Sequence, residues 1–185
     1  VQAAARAYLQ EVKAVLPCGP YRFMGHSFGG WIAFEMARQL EQEGKHVDTT
    51  ILVDSEPPGS VRRSDRLRTL SLFVELLEME RGTRLPLRMD ELRTLDDEKR
   101  IDHLLAGLVE GGILPPRTPI QKLHGLLRVF GTHLNTGYQP ESGYGGKVLL
   151  VNAEPAEPSS TRRKKPLTNQ EKQAIWQRHA ADTDL

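Results

Sequence analysis

The chain has 185 residues and a mass of 20.8 kDa, a length that one hydrophobic core serves. Its content, 38% hydrophobic and 26% charged, is too apolar for a disordered tail and too evenly charged for a membrane protein. With 25 Lys and Arg against 24 Asp and Glu, the net charge of +1 supplies no field for a polyanion, so nucleic acid is not an expected partner. No apolar run reaches the roughly 20 residues that span a bilayer, and the N-terminus lacks the layout of a signal peptide. A single cysteine, Cys18, excludes an internal disulfide and a multi-cysteine metal cluster. A reducing cytoplasm fits, and Cys18, beside Pro17 at a helix end, reads as a packing residue. The chain starts at Val1 without a methionine and reads as a piece of a longer polypeptide.

Residues 1–16 place Val1, Ala4, Ala5, Tyr8, Val12 and Val15 at three- and four-residue steps, which predicts a helix ended by Pro17, Gly19 and Pro20. Tyr21–Met24 is short, apolar and bounded by breakers, a buried strand leading into Gly25. From Phe28 to Glu43 good helix formers follow, with Ile32, Met36 and Leu40 at four-residue intervals and Gly44 as the C-terminal cap. Thr49–Val53 is β-branched and apolar and predicts a second strand, stopped by Asp54 and then Pro57, Pro58 and Gly59.

Between residues 60 and 137 three helical periods recur without a strand: Leu67 to Leu77, Ile101 to Leu108, and Ile120 to Leu134. Lys147–Val151 then reads as a strand, followed by a Pro-rich basic loop with Arg162, Arg163, Lys164 and Lys165. That cluster reads as solvated, with docking of an acidic partner as the sharper alternative. Thr168 and Glu171 announce a last helix through a capping box. The expected fold class is α/β: a mostly parallel sheet with helices on both faces and an inserted helical lid at 60–137, in an incomplete domain spanning 1–185.

Gly25, His26, Ser27, Phe28 and Gly29 form Gly-x-Ser-x-Gly, with Gly30 beyond, between the predicted strand and the predicted helix. Flanking glycines leave room for a sharp turn that lifts the Ser27 hydroxyl above the sheet, and the backbone N–H of Phe28 would then hold an oxyanion. A serine nucleophile needs a base oriented by a carboxylate. Asp54, 27 residues on, and Glu154, after the later strand, compete for that post. The base is harder to place. His103, His124 and His133 fall in the helical insertion, and His46 sits at the wrong end of the sheet. His179 reads as a surface or packing residue on the terminal helix, and His26 as packing at the elbow. The expectation is that the catalytic histidine lies outside this chain.

Tyr21-Arg-Phe-Met-Gly-His-Ser-Phe-Gly-Gly-Trp-Ile-Ala-Phe-Glu-Met-Ala through Leu40, with Ile51-Leu-Val-Asp-Ser-Glu-Pro-Pro-Gly59, resembles the thioesterase domain of nonribosomal peptide and polyketide synthetases, of the α/β-hydrolase superfamily. Asn135-Thr-Gly-Tyr-Gln-Pro140 and Gly146-Lys-Val-Leu-Leu-Val-Asn-Ala153 resemble the family's return from the lid to the sheet. The resemblance implies Ser27 as nucleophile and Asp54, rather than Glu154, as triad acid. It also implies an acyl or peptidyl carrier protein as partner and an acyl or peptidyl thioester, carried on phosphopantetheine, as substrate. No cofactor or metal of the domain's own is implied, and release is by water or by an internal nucleophile. Two rivals share the same serine: a stand-alone esterase, and an inactive hydrolase fold kept for carrier docking. Missing opening strands and a missing histidine segment imply a poor catalyst by itself.

Overall fold

A computed structural model describes residues 1–59, 64–153 and 167–184. The chain divides into two compact units, one made of Val1–Ser60 with Gly137–Leu185 and the other of Val61–Thr136. The first unit holds four strands, β1 (Tyr21–His26), β2 (Val47–Val53), β3 (Tyr144–Val151) and β4 (Ala180–Asp184), in the spatial order β1-β2-β3-β4 and parallel throughout. Helices α1 (Gln2–Val15), α2 (Phe28–Gln42) and α7 (Asn169–Trp176) accompany them.

Register explains which side of the sheet is packed. Gly25, Leu52 and Leu150 align across three strands, as do Phe23, Thr50 and Val148. Leu52, Thr50 and Val148 are fully buried, in a core shared with Ala5 and Leu9 of α1, Phe34, Ala37 and Leu40 of α2, and Trp176 of α7. The alternate row, Met24, Ile51 and Leu149, is also apolar, the composition of a sheet made to be covered on both faces. Alternation along β1 puts Arg22, Met24 and His26 on that second side, where all three are exposed. His26 is therefore not packed at the elbow as expected. Cys18 is exposed as well, in the loop between α1 and β1, and the packing role expected of it does not hold.

The capping box at Thr168 and Glu171 is present, with the Glu171 amide donating to Thr168 Oγ1 at 3.2 Å and the Thr168 amide to Glu171 Oε2 at 2.7 Å. Gly44 follows the C-terminus of α2 at φ +70°, the left-handed conformation a glycine cap supplies. The last helix ends at Trp176, so His179 lies in a turn rather than on the helix. The residues after it form β4, which the sequence reading did not anticipate.

Helix α2 is buried almost all round, from Gly30 to Arg38 and again at Leu40. Two of its charged residues are buried. Glu35 and Arg38, one turn apart, pair through two hydrogen bonds of 2.7 and 3.0 Å, and the Glu35 carboxylate also accepts from Gln39 at 2.8 Å and from the Tyr138 hydroxyl at 2.7 Å. Arg38 uses its remaining arm on Ser142 Oγ at 3.0 Å. Burial pushes the Glu35 carboxyl up, but the bonds from Arg38, Gln39 and Tyr138 outweigh it and hold the group below its ordinary value. Burial, and then Glu35 itself, push the Tyr138 phenol far above the usual range.

The second unit contains α3 (Arg66–Arg81), α4 (Met89–Thr94), α5 (Asp97–Glu110) and α6 (Ile120–Asn135). Its own core gathers Leu70, Phe73, Val74, Leu85, Ile101, Leu104, Leu108 and Leu123. Asp65 caps α3 by accepting from the Arg68 amide at 2.7 Å, and Asp96 caps α5 by accepting from the Lys99 amide at 2.9 Å. No helix among the described residues is long and apolar enough to cross a membrane.

Two outcomes follow from this packing. Tyr138→Phe should cost about 1.5–3 kcal/mol, the worth of a hydrogen bond to a buried charge, while Arg38→Met should cost about 3–5 kcal/mol by stranding the Glu35 carboxylate. Because the folded-state pKa of Glu35 lies below the ordinary 4.5, its contribution is complete above that value and is lost as pH falls further. Melts of Tyr138→Phe and wild type should therefore differ at neutral pH and converge in acid. At the β1–α2 junction, a Cβ at Gly25 would meet the Gly29 carbonyl oxygen at 2.1 Å and one at Gly30 would meet Ser55 Oγ at 1.9 Å, whereas one at Gly29 meets nothing within 4 Å. Denaturant titration should show Gly25→Ala and Gly30→Ala each losing at least about 1–3 kcal/mol, with Gly29→Ala near neutral.

Candidate active site

Ser27 stands where β1 ends and α2 begins. Its amide donates to Val53 O at 2.8 Å, carrying the β1–β2 ladder one residue past the strand, and its carbonyl accepts from the Gly30 amide at 3.0 Å, opening the helix. Both duties force a backbone with φ 53° and ψ −121°, a conformation that non-glycine residues rarely adopt. Close packing of Gly25 against Gly29 and of Gly30 against Ser55 fixes the bend. The Ser27 side chain is exposed as a result. Phe28 is the first residue of α2, which sets its amide at the helix N-terminus directly after Ser27. Its ring lies 5.7 Å from that of Trp31.

Asp54 follows the neighbouring strand in the same way. Val53 pairs with His26 on one side and Val151 on the other, so the residues just beyond, Ser27 and Asp54, occupy adjacent strand tips at the carboxyl end of the sheet. The Asp54 amide donates to Val151 O at 2.8 Å and its Oδ1 accepts from the Ala153 amide at 2.7 Å. Asp54 too has a positive φ, 46°. Three strands are thus stitched at their ends through Ser27 and Asp54. The competing carboxylate, Glu154, lies outside the described residues, as do Arg162, Arg163, Lys164 and Lys165.

None of the other histidines has the place a triad base needs in sequence. His46 precedes β2, at the amino end of the sheet, and pairs with Asp48 at 3.0 Å. His179 precedes β4 at the same end, its carbonyl accepting from the Tyr144 amide at 2.8 Å, and burial, then Arg178, hold its imidazole below the ordinary range. His103, His124 and His133 belong to the helical unit. Among the described residues no cluster of His, Cys, Asp or Glu could hold a metal ion.

Sequence reasoning missed the groups that secure the site from behind. Trp31, four residues after Ser27, donates its indole N–H to Glu56 O at 2.6 Å and holds the loop after β2, while the Trp176 indole reaches Ser55 O at 3.5 Å. Trp31 also packs on Tyr138, ring centroids 5.8 Å apart, so the aromatic contacts run from Phe28 to the Tyr138–Glu35 pair. The two tryptophans of the chain were the available signal, since a buried indole N–H seeks an acceptor.

The polyketide synthase PksR of Bacillus subtilis is 26% identical over 129 residues, covering 65% of this chain and 5% of that protein. The chondramide synthase of Chondromyces crocatus is 28% identical over 156 residues, covering 77% of this chain and 4% of its own length. The chain therefore spans only a small part of the length of these relatives. Among solved structures, a holo four-domain nonribosomal peptide synthetase bound to AMP and glycine matches all of this chain and 14% of its own, with a TM-score of 0.75 and 25% identity. The thioesterase domain that cyclises the lipopeptide antibiotic surfactin matches 97% of this chain and 61% of its own, at a TM-score of 0.52 and 20% identity, and shares the α/β-hydrolase fold. The model of the thioesterase domain family matches residues 1–105, which hold the elbow, both strand tips and the start of the helical unit, and the chain belongs to that family.

Proposed function

We propose that the chain carries the nucleophile and acid of a thioesterase that releases an acyl or peptidyl chain from the phosphopantetheine thioester of a carrier protein, in peptide or polyketide biosynthesis. The observation that supports this best is the exposed Ser27 at a positive-φ bend beside Asp54 on the next strand tip. In this reading Ser27 Oγ attacks the thioester carbonyl and gives its proton to a histidine. The C–O bond forms, and the carbonyl oxygen takes negative charge that the Phe28 amide accommodates. Collapse of the intermediate breaks the C–S bond, and the pantetheine thiolate departs with the proton from the histidine. Water, or a nucleophile on the acyl chain, then attacks the Ser27 ester and gives its proton to the histidine; the bond between Ser27 Oγ and the acyl carbon breaks, and Ser27 Oγ takes that proton as the product leaves.

Asp54 orients the histidine in this scheme, one carboxylate oxygen being held by the Ala153 amide. The histidine itself is taken from outside residues 1–185, so the chain alone turns over poorly. The helical unit serves as the lid that selects water or the internal nucleophile.

An active-site fluorophosphonate should label the full-length protein at Ser27, and Ser27→Ala should abolish labelling. An unlabelled wild type would point to an inactive docking fold. Asp54→Asn should cut turnover about 10⁴-fold with the melting temperature kept, while Glu154→Gln should change it little; the reverse pattern would move the acid to Glu154. Good turnover of simple oxygen esters with no turnover of carrier-bound acyl chains would favour a stand-alone esterase.

A further inference from the structure

Helices α3 and α6 of the helical unit flank a groove of about 840 Å³, within the range that small-molecule sites occupy. Its floor is apolar, with Leu70 and Ile101 each 2% exposed, and its rim carries two cations, Arg66 and Arg128. Among the described residues no carboxylate lines it, although the chain has 24 acidic residues, and α6 contains none. Arg66 pairs with Asp97 at 2.7 Å, a carboxylate that Arg100 also engages at 2.7 Å, while Arg128 makes no ion pair among the described residues. Arg128 thus stands at the rim over an apolar floor with no acidic partner among the described residues.

The groove wall carries a second signal. Gly125 and Gly131 lie inside α6, where glycine is the least favourable residue after proline. Tight packing does not demand them, since a Cβ at Gly125 would meet nothing within 4 Å and one at Gly131 would meet only Thr69 Cγ2 at 3.5 Å. What both glycines do is keep the wall of the groove open. An apolar trough closed at its rim by an unpaired guanidinium fits an amphiphile with one anionic end.

We propose that the groove between α3 and α6 binds a carboxylate-headed acyl chain, the chemical form that hydrolysis of a thioester leaves, with Arg128 on the carboxylate and the chain over Leu70 and Ile101. The choice of carboxylate rests on the thioesterase reading; the groove and its cation do not. Binding is measured by calorimetry on the full-length protein carrying Ser27→Ala, which removes turnover from the readout, with dodecanoate, dodecanol and pantetheine 4′-phosphate as probes. Dodecanoate should bind at least about tenfold tighter than dodecanol, Arg128→Gln should erase that preference, and Gly125→Leu should weaken both probes about tenfold or more. Arg128 is exposed, so its substitution leaves the core untouched, and an unchanged melting temperature checks this. Equal binding of dodecanol and dodecanoate, wild-type binding in both groove variants, or stronger binding of pantetheine 4′-phosphate than of dodecanoate would each overturn the proposal. Labelling of Ser27 with no dodecanoate binding sinks the groove alone, and a Ser27 that never labels sinks the thioesterase reading alone.

Discussion

One bend governs the first unit. Ser27 must end a parallel strand and start a helix within a single residue, and the backbone that does so sits in a region costing of the order of 1–3 kcal/mol for a residue with a side chain. That cost is met by hydrogen bonds on both sides, to Val53 and from Gly30, and by backbone contact that only glycine at positions 25 and 30 permits. Asp54 repeats the theme one strand away, with its own positive φ and its own bonds to the end of β3. Strain placed on two adjacent strand tips is what raises a hydroxyl and a carboxylate above the sheet together.

Behind the bend, α2 serves two purposes. Its N-terminus is the site, and its middle carries Glu35 and Arg38, whose buried pair is completed by Tyr138 from a segment more than a hundred residues later. Tyr138 also receives the Gly59 amide on its carbonyl at 3.0 Å, so the chain leaves and rejoins the first unit at adjacent points. Inside the helical unit the Ser64 amide donates to Asn135 Oδ1 at 2.7 Å and draws that unit's two ends together. A long insertion whose ends already meet adds little loop-closure entropy, which grows only with the logarithm of length.

The parts legible in the sequence were those set by local chemistry. Tyr21–Met24, Thr49–Val53 and Lys147–Val151 are apolar runs between breakers, and each lies within an observed strand. Asp54 directly follows such a run, and Ser27 stands just beyond another, with Gly25 and His26 between. Strand β4 could not be read, since Ala180-Ala-Asp-Thr-Asp184 has no apolar alternation. It forms because the edge of β3 offers its ladder and because Ala180 and Thr183 are both small enough to be buried there. The exposure of His26 was recoverable from the period of two along β1, which sets it with Arg22 and Met24 and opposite Tyr21, Phe23 and Gly25. The Glu35 pair was not, because its worth depends on Tyr138, a partner that no spacing rule connects to it.

The contrast between α2 and α6 shows how differently two helices of similar length are constrained. Nearly every side chain of α2 is enclosed, so its sequence answers to the core it fills, and even its charges are spent on one another. In α6 only Leu123 is buried, while Leu126 and Val129 remain about half exposed and two glycines sit where no neighbour requires them. Packing within its own unit accounts for Ile120, Leu123, Leu127 and Phe130, which join that unit's core, and not for the two glycines or Arg128. Gly125, Gly131 and Arg128 are positions of α6 that this core does not call for, and all three lie on the wall of the groove beside α3.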